Sequence, residues 1–92
     1  MLKYSDLDEA IDIANNSKYG LAGGVFTADM KKANKASELM ESGTVAVNTP
    51  VVAVAEAPFG GIKQTGYGRE GGSMAIKDYL NIKYTHLGVH YE

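Results

Sequence analysis

The amino-acid sequence predicts an α/β fold, because segments of helical and of strand character alternate along the chain. Two segments repeat apolar residues at the spacing of an amphipathic helix, and each is followed by a short run with the composition of a strand. The predicted order is helix, strand, helix, strand, long loop, helix and strand. Right-handed crossovers between parallel strands are expected for this order.

The first helix is predicted from Ser5 to Asn16. Ser5 is placed to cap its first turn, and Asp8 follows three residues later, at the spacing of a capping box. A short buried strand is then predicted from Leu21 to Thr27, with glycines where a neighbour packs close. The buried face of the helix is predicted to comprise Leu7, Ala10, Ile11 and Ala14.

The second helix is predicted from Thr27 to Glu41. Gly43 lies where a left-handed residue is expected just beyond a helix end. The β-branched run from Thr44 to Asn48 predicts another strand, which Pro50 closes. The methionines at helical positions are predicted to fill the core. They are Met30, Met40 and Met74.

A long loop from Thr49 to Gly72 separates these elements from a short helix predicted over Ser73 to Leu80 and a final strand over Ile82 to Val89. The part of the loop from Ala57 to Gly72 contains six glycines. Such spacing indicates a wound loop held by its own backbone, since glycine permits positive φ and close approach. Long loops in compact domains are usually functional or packed on something else. We therefore interpret the chain as part of a larger fold.

Composition excludes several classes of function. The chain has 92 residues, 9 basic and 11 acidic, and a net charge of −2, so no cationic surface for nucleic acid is indicated. No apolar run reaches the length of a membrane span and no signal-peptide pattern is seen, so no membrane partner is expected and a cytoplasmic location is the default. The absence of cysteine excludes disulfides and thiolate metal sites.

Four ordered blocks resemble the aldehyde dehydrogenase superfamily. Residues 14–27 are similar to its A-N-x-[ST]-x-Y-G-L-A-x-x-[VI]-[FW]-[ST] segment, and residues 43–48 to its G-x-[VI]-x-[VI]-N strand. Residues 57–72 resemble the signature PFGG-x-K-x-[ST]-G-x-G-R-E, and residues 78–84 the closing Y-x-x-x-K. The blocks keep the family's order and spacing over nearly the whole chain, which is far more specific than one glycine-rich loop.

The resemblance implies a partial three-layer α/β fragment. Residues 1–80 would be the last part of a catalytic domain and residues 81–92 an oligomerisation arm. In this family a cysteine thiolate attacks the aldehyde, hydride passes to NAD or NADP, and a glutamate activates water. Those groups lie upstream of the matching region, so the chain itself is expected to hold no catalytic, cofactor-binding or metal-binding residue and not to oxidise aldehydes alone.

The resemblance also assigns positions within the chain. It places Ala53, Val54 and Phe59 on a loop that walls the substrate pocket. Relatives resembling succinate-semialdehyde dehydrogenases carry a serine on this loop and others an aromatic residue; Ala53 and Val54 supply neither. The motif around residues 56–63 still looks closest to the semialdehyde branch, so the aldehyde stays open. The structural motif comprises Asn48, Pro58, Gly60, Gly61, Lys63, Gly66, Gly68, Arg69 and Glu70.

Two pairs of charged residues have both a chemical and a structural interpretation. Lys63 and Arg69 beside the glycines would suit an anion, but the spacing fits neither phosphate-binding fingerprint and a structural turn is favoured. Glu56 and Glu70 would make a carboxylate pair only if their environments separated their pKa values, and structural hydrogen bonding is favoured. Many relatives have an acidic residue at the position of Asn81, where it is available to pair with the arginine at position 69. Asn81 can form a hydrogen bond but not that ion pair.

The terminal strand offers two interpretations. His86 and His90 are four apart, a spacing that would suit a metal on a helix but separates the side chains by about 13 Å on a strand. An exposed edge from Ile82 to Val89 would pair with another chain, as the family's arm does, or would lie inside the fragment's own sheet.

The leading hypothesis is a C-terminal portion of an NAD(P)-dependent aldehyde dehydrogenase. The alternatives are a non-catalytic interaction module and a small anion-binding domain.

Overall fold

The computed structural model describes residues 1–90 and shows an elongated molecule of 79 × 25 × 20 Å. Helix α1 spans Leu7–Asn15 and helix α2 spans Met30–Leu39. A 3₁₀ helix covers Ala75–Tyr79. The four strands are β1 (Tyr19–Gly20), β2 (Ala22–Val25), β3 (Thr44–Val47) and β4 (Ile62–Lys63).

Strands β2 and β3 form a parallel pair, and α2 connects them. The register aligns Ala22 with Thr44 and Val25 with Val47. Both helices pack together, and α2 also packs against the pair. This helix-and-parallel-strand unit confirms the predicted α/β class. Strands β1 and β4 form a second, antiparallel pair, which the sequence analysis did not predict.

Both helices begin at an aspartate. The Asp6 side chain accepts a hydrogen bond from the Glu9 amide, and the Asp29 side chain accepts from the amides of Lys31 and Lys32. The cap of α1 is therefore one residue later than predicted. Ser5 instead donates to the Glu9 carboxylate from its backbone N–H and from its hydroxyl, both at 2.6 Å. Since Glu9 is the third helical residue, these bonds complete a variant of the capping box.

The Glu9 carboxylate makes the start of α1 sensitive to pH. The hydrogen bonds from the Ser5 hydroxyl and then the Ser5 amide lower its pKa. A lowered folded-state pKa means that the stabilisation is present above the ordinary glutamate pKa of about 4.3 and is lost as the pH falls through the lowered value. We expect Glu9→Gln to weaken the chain near neutral pH and to match the parent chain in strong acid. Urea titrations at both pH values measure the difference, and a gap that persists in acid would contradict the assignment.

The core of the described chain is small. Only Ile11, Ala33, Ala36 and Ala46 among the apolar residues are buried, and none of the larger side chains is fully enclosed. The predicted face of α1 is confirmed at Ile11, with Leu7 half-buried, whereas Ala14 is exposed. A core of this size contributes little hydrophobic free energy, because that free energy scales with the apolar area removed from water.

Many large apolar side chains remain in solvent. The methionines Met30 and Met74 are 64% and 56% exposed, so the prediction that they fill the core is wrong for this chain, and Met40 alone of the three is half-buried. Phe26, at the end of β2, is 70% exposed. These side chains lie where further polypeptide would have to cover them, in agreement with the interpretation of the chain as part of a larger fold.

The predicted strand from Ile82 to Val89 is not formed. No residue in the described range pairs with it, and every residue of the segment is exposed, Ile82 by 99%. A strand requires a hydrogen-bonded neighbour, so an internal strand of this chain's own sheet is excluded for residues 82–89. The division into residues 1–80 and 81–92 stays a prediction, and positions 91 and 92 lie outside the described residues.

Two further predictions differ from the structure. The short helix is a 3₁₀ helix of five residues. Gly43 does not adopt a left-handed conformation, and α2 ends at Leu39, with Met40 capping it in an extended conformation. The physical reason for glycine at this position is close approach: a β-carbon on Gly43 would overlap the Gly60 carbonyl oxygen and lie 2.8 Å from its carbon.

Candidate functional site

The glycine-rich segment folds into a closed loop. Phe59 and Glu70 exchange backbone hydrogen bonds of 2.7 and 2.8 Å, which joins the two ends of the loop as an antiparallel bridge. Between them, Gly66 and Gly68 have φ values of +108° and +95°. Such angles strain any residue with a β-carbon, so these two glycines form the turn.

Lys63 ties this loop to the ends of both helices. Its ammonium donates to the carbonyl of Asn15 at 2.9 Å and forms an ion pair with Glu41. The Asn15 side chain donates to the Leu39 carbonyl and accepts from the Glu41 amide at 2.7 Å. These bonds join the end of α1, the end of α2 and strand β4. Lys63 itself has a φ of +57°, which is uncommon for a residue with a long side chain.

Arg69 is also occupied within the loop. Its guanidinium donates to the carbonyls of Gly61 and Gly68 at 2.9 and 2.8 Å, and its backbone N–H donates to the Asp78 carboxylate at 2.7 Å. Asp78 therefore fastens the 3₁₀ helix to the loop. Because the Lys63 and Arg69 side chains both bind backbone carbonyls, the geometry favours the structural turn over an anion-binding cradle.

Asn48 lies at the end of β3 and clamps the end of β2. Its side-chain oxygen accepts from the Thr27 amide at 2.8 Å, and its side-chain nitrogen donates to the Thr27 carbonyl at 3.0 Å. The amide therefore pairs with Thr27 as a further strand residue would. The backbone of Asn48 is left-handed, with a φ of +55°, so the chain turns here into the loop that follows.

The predicted substrate-pocket residues lie together at one cavity. This cavity of about 330 Å³ is lined by seven residues: Ala53, Val54, Ala55, Ala57, Phe59, Glu70 and Gly71. The segment that carries Ala53, Val54 and Ala55 is bonded to the glycine-rich loop, because the Gly72 amide donates to the Ala55 carbonyl at 2.9 Å. Gly71 has a φ of +69°, and a β-carbon there would lie 2.9 Å from the Ala57 carbonyl oxygen.

The other candidate groups do not assemble into a site. Glu56 does not line the 330 Å³ cavity, so it is not brought together there with Glu70. His86 accepts or donates a 3.0 Å hydrogen bond with the Tyr84 hydroxyl on the extended terminal segment. Within residues 1–90 no cluster of three metal-binding side chains is found. No helix in the same range is long and apolar enough to cross a membrane.

Sequence reasoning missed several residues that build this region. Asn15 and Glu41 bind partners more than 20 residues away, and Asp78 binds Arg69 nine residues before it, so no helix or strand periodicity marks them. For Asp78 the available signal was a carboxylate nine residues after Arg69, within reach of the loop through an intervening turn. Thr65 was also missed; its hydroxyl accepts from the Gly20 amide at 2.9 Å and so joins the loop to β1.

Comparison with known proteins supports one family. The profile of the aldehyde dehydrogenase family matches residues 1–85. The 3-sulfolactaldehyde dehydrogenase of Pseudomonas putida is 44% identical over 88 residues, 96% of this chain and 18% of that protein. The chloroplastic betaine aldehyde dehydrogenase of Beta vulgaris is 48% identical over 80 residues, 87% of this chain and 16% of that protein.

The solved structures agree with this result. Betaine aldehyde dehydrogenase from Staphylococcus aureus, determined with NAD+, matches with a TM-score of 0.81 and 44% identity over 85% of this chain and 16% of that one. The chain belongs to the aldehyde dehydrogenase family. It spans less than a fifth of the length of these relatives, and its fold is a small mixed helix-and-strand portion of their domain.

Proposed function

We propose that this chain supplies the terminal portion of the catalytic domain of an aldehyde dehydrogenase, and that it is not catalytic alone. The complete enzyme would oxidise an aldehyde to a carboxylic acid with NAD or NADP. The observation that carries the proposal is the combination of a family match over residues 1–85 with a sequence that lacks cysteine. Without a thiolate, the family's covalent acyl intermediate has no atom on which to form.

The surface supports a role within a larger assembly. Few apolar residues are buried, and aromatic and aliphatic side chains such as Phe26 and Met30 are mostly exposed. Exposed apolar area of this kind marks a surface that packs against further protein. The loop near Ala53 would provide one wall of the aldehyde pocket, and the hydrogen bond from the Gly72 amide to the Ala55 carbonyl would hold that wall in place. We place the complete enzyme in the cytoplasm.

The activity test uses two preparations. The purified chain, given NAD or NADP and short aldehydes, is expected to produce no reduced nucleotide. Added to the Staphylococcus aureus enzyme truncated before its matching segment, the chain is expected to restore NADH formation, because it would complete the catalytic domain. Turnover by the chain alone that survives further purification would contradict the proposal, and so would failure to restore activity when the two parts are joined as one polypeptide.

The second candidate is an interaction module that self-associates through Ile82 to Val89. The exposure of this segment and its lack of pairing within residues 1–90 favour it, since unpaired N–H and C=O groups invite strand addition from another chain. Light scattering is expected to show a discrete dimer or larger assembly. Thr85→Pro, which removes one donor, should dissociate the assembly, whereas Thr85→Ala should not. A monomeric parent chain, or an assembly indifferent to proline, would argue against this pairing.

A further inference from the structure

The 330 Å³ cavity beside the glycine-rich loop is lined by one ionisable side chain and otherwise by uncharged residues. Apart from Glu70 the side chains that line it are apolar, and most of them are small. The lining includes no lysine, arginine, histidine, serine or threonine. The nearby cation Arg69 is not part of it, because its guanidinium is bound by the carbonyls of Gly61 and Gly68.

This lining opposes a substrate with an anionic end. A carboxylate or sulfonate that leaves water needs hydrogen-bond donors or a cation to replace its hydration. The side chains of Ala53 and Val54 offer neither, and the one ionisable group, Glu70, carries the same sign as the substrate. A quaternary ammonium end is also poorly served, because its recognition relies on several aromatic faces and Phe59 is the one aromatic residue in the lining.

A neutral hydrocarbon chain suits the same surface. Its transfer from water onto apolar side chains is favourable and requires no polar partner. The small residues at positions 53, 54, 55 and 57 leave room for such a chain beside the Phe59 ring. The wall is also built and not merely a free loop, since Val54 accepts from the Ala57 amide at 3.2 Å and Ala55 accepts from the Gly72 amide.

We propose that the wall formed by Ala53, Val54 and Phe59 selects neutral aliphatic aldehydes over aldehydes with an anionic or cationic far end. This inference rests on the proposed function, because the aldehyde meets the wall only in a complete enzyme. It differs from the semialdehyde resemblance of the surrounding motif, which would require a carboxylate anchor on this loop.

The test uses the assembly described above, formed in trans or as a single fusion with the truncated Staphylococcus aureus enzyme. The kcat/KM values for hexanal, betaine aldehyde and succinate semialdehyde are compared with those of the Staphylococcus aureus enzyme carrying its own terminal segment. Because the upstream part is identical, a change in the ratios reports on this chain. We expect the preference for hexanal over each charged aldehyde to rise by about tenfold or more.

A variant with a cation on the wall sharpens the test. Val54→Arg is expected to raise kcat/KM for succinate semialdehyde by about tenfold and to lower it for hexanal. Val51→Arg is the matched control: Val51 is similarly exposed on the same loop, at 58% against 51%, but does not line the cavity. It should leave the ratios unchanged.

The outcomes separate the two proposals. A fusion that forms a folded assembly but turns over no aldehyde contradicts the proposed function. An active fusion whose ratios stay the same, or move toward a charged aldehyde, overturns the inference about the wall while leaving the proposed function in place. Equal effects of arginine at positions 51 and 54 would overturn it as well.

Discussion

Replacing Gly43 by alanine is expected to unfold the chain. The new β-carbon would overlap the Gly60 carbonyl oxygen and lie 2.8 Å from its carbon and 3.2 Å from the Gly61 α-carbon. These are backbone atoms, so no side chain can rotate to relieve the overlap. Separating the start of β3 from the glycine-rich loop would cost about 3 kcal/mol or more, and a chain with so few buried residues has little stability in reserve.

Far-UV circular dichroism during a urea titration measures this effect. The parent chain should show a cooperative transition, and Gly43→Ala should show none, or one at much lower urea. Gly24→Ala is the matched control within a strand, because its β-carbon would meet nothing closer than the Ala46 carbonyl oxygen at 3.7 Å. We expect that control to change stability by less than about 1 kcal/mol. Equal stability of the Gly43 and Gly24 variants would contradict the proposed close contact.

Gly43 also shows what local pattern reasoning can and cannot provide. Its position after a helix predicted a left-handed turn, a rule that uses only neighbours in sequence. The actual constraint comes from Gly60, which the fold brings within contact across the glycine loop. Helix α1 was predicted well because its apolar spacing is a local property that survives tertiary packing. The glycine's role depends on a partner that no periodicity identifies.

The strands also differ in how far the local sequence predicts them. Parallel β2 and β3 both lie within predicted strands, β3 because of its β-branched content and β2 as the short glycine-containing run between the two helices. Strands β1 and β4 are two residues each and pair across a long stretch of sequence, so neither carries a detectable pattern. The segment from Ile82 to Val89 has strand composition but no partner among the described residues. Composition measures suitability for a sheet, whereas a strand forms only when a neighbour is present.

The candidate site divides in a similar way. The resemblance placed Ala53, Val54 and Phe59 on one wall, and the structure brings them to one cavity. The contacts that hold the neighbouring glycine-rich loop could not be predicted from the sequence. The positive φ of Lys63 has no propensity signal, since lysine rarely adopts it, and the acceptors of its ammonium come from the ends of two helices.

Replacing Asn48 is expected to destabilise the junction between β3 and the segment that follows it. The side-chain amide both accepts from and donates to the Thr27 backbone, and the residue holds a φ of +55°. Asn48→Gly keeps the conformation and loses both bonds, at a cost of about 1–2 kcal/mol. Asn48→Ala adds the strain of a left-handed alanine, so its cost should be about 2–3 kcal/mol.

Hydrogen exchange at the Thr27 amide distinguishes this clamp from general destabilisation. The amide donates to the Asn48 side chain, so its protection should fall in the glycine and alanine variants. Asn48→Asp is the matched probe, because a carboxylate oxygen still accepts from the amide while the donor to the Thr27 carbonyl is lost. Protection at Thr27 should then persist although stability drops. If the aspartate variant lost that protection as fully as alanine, or if glycine were as stable as asparagine, the clamp would not be what directs the chain from β3 into the segment that follows it.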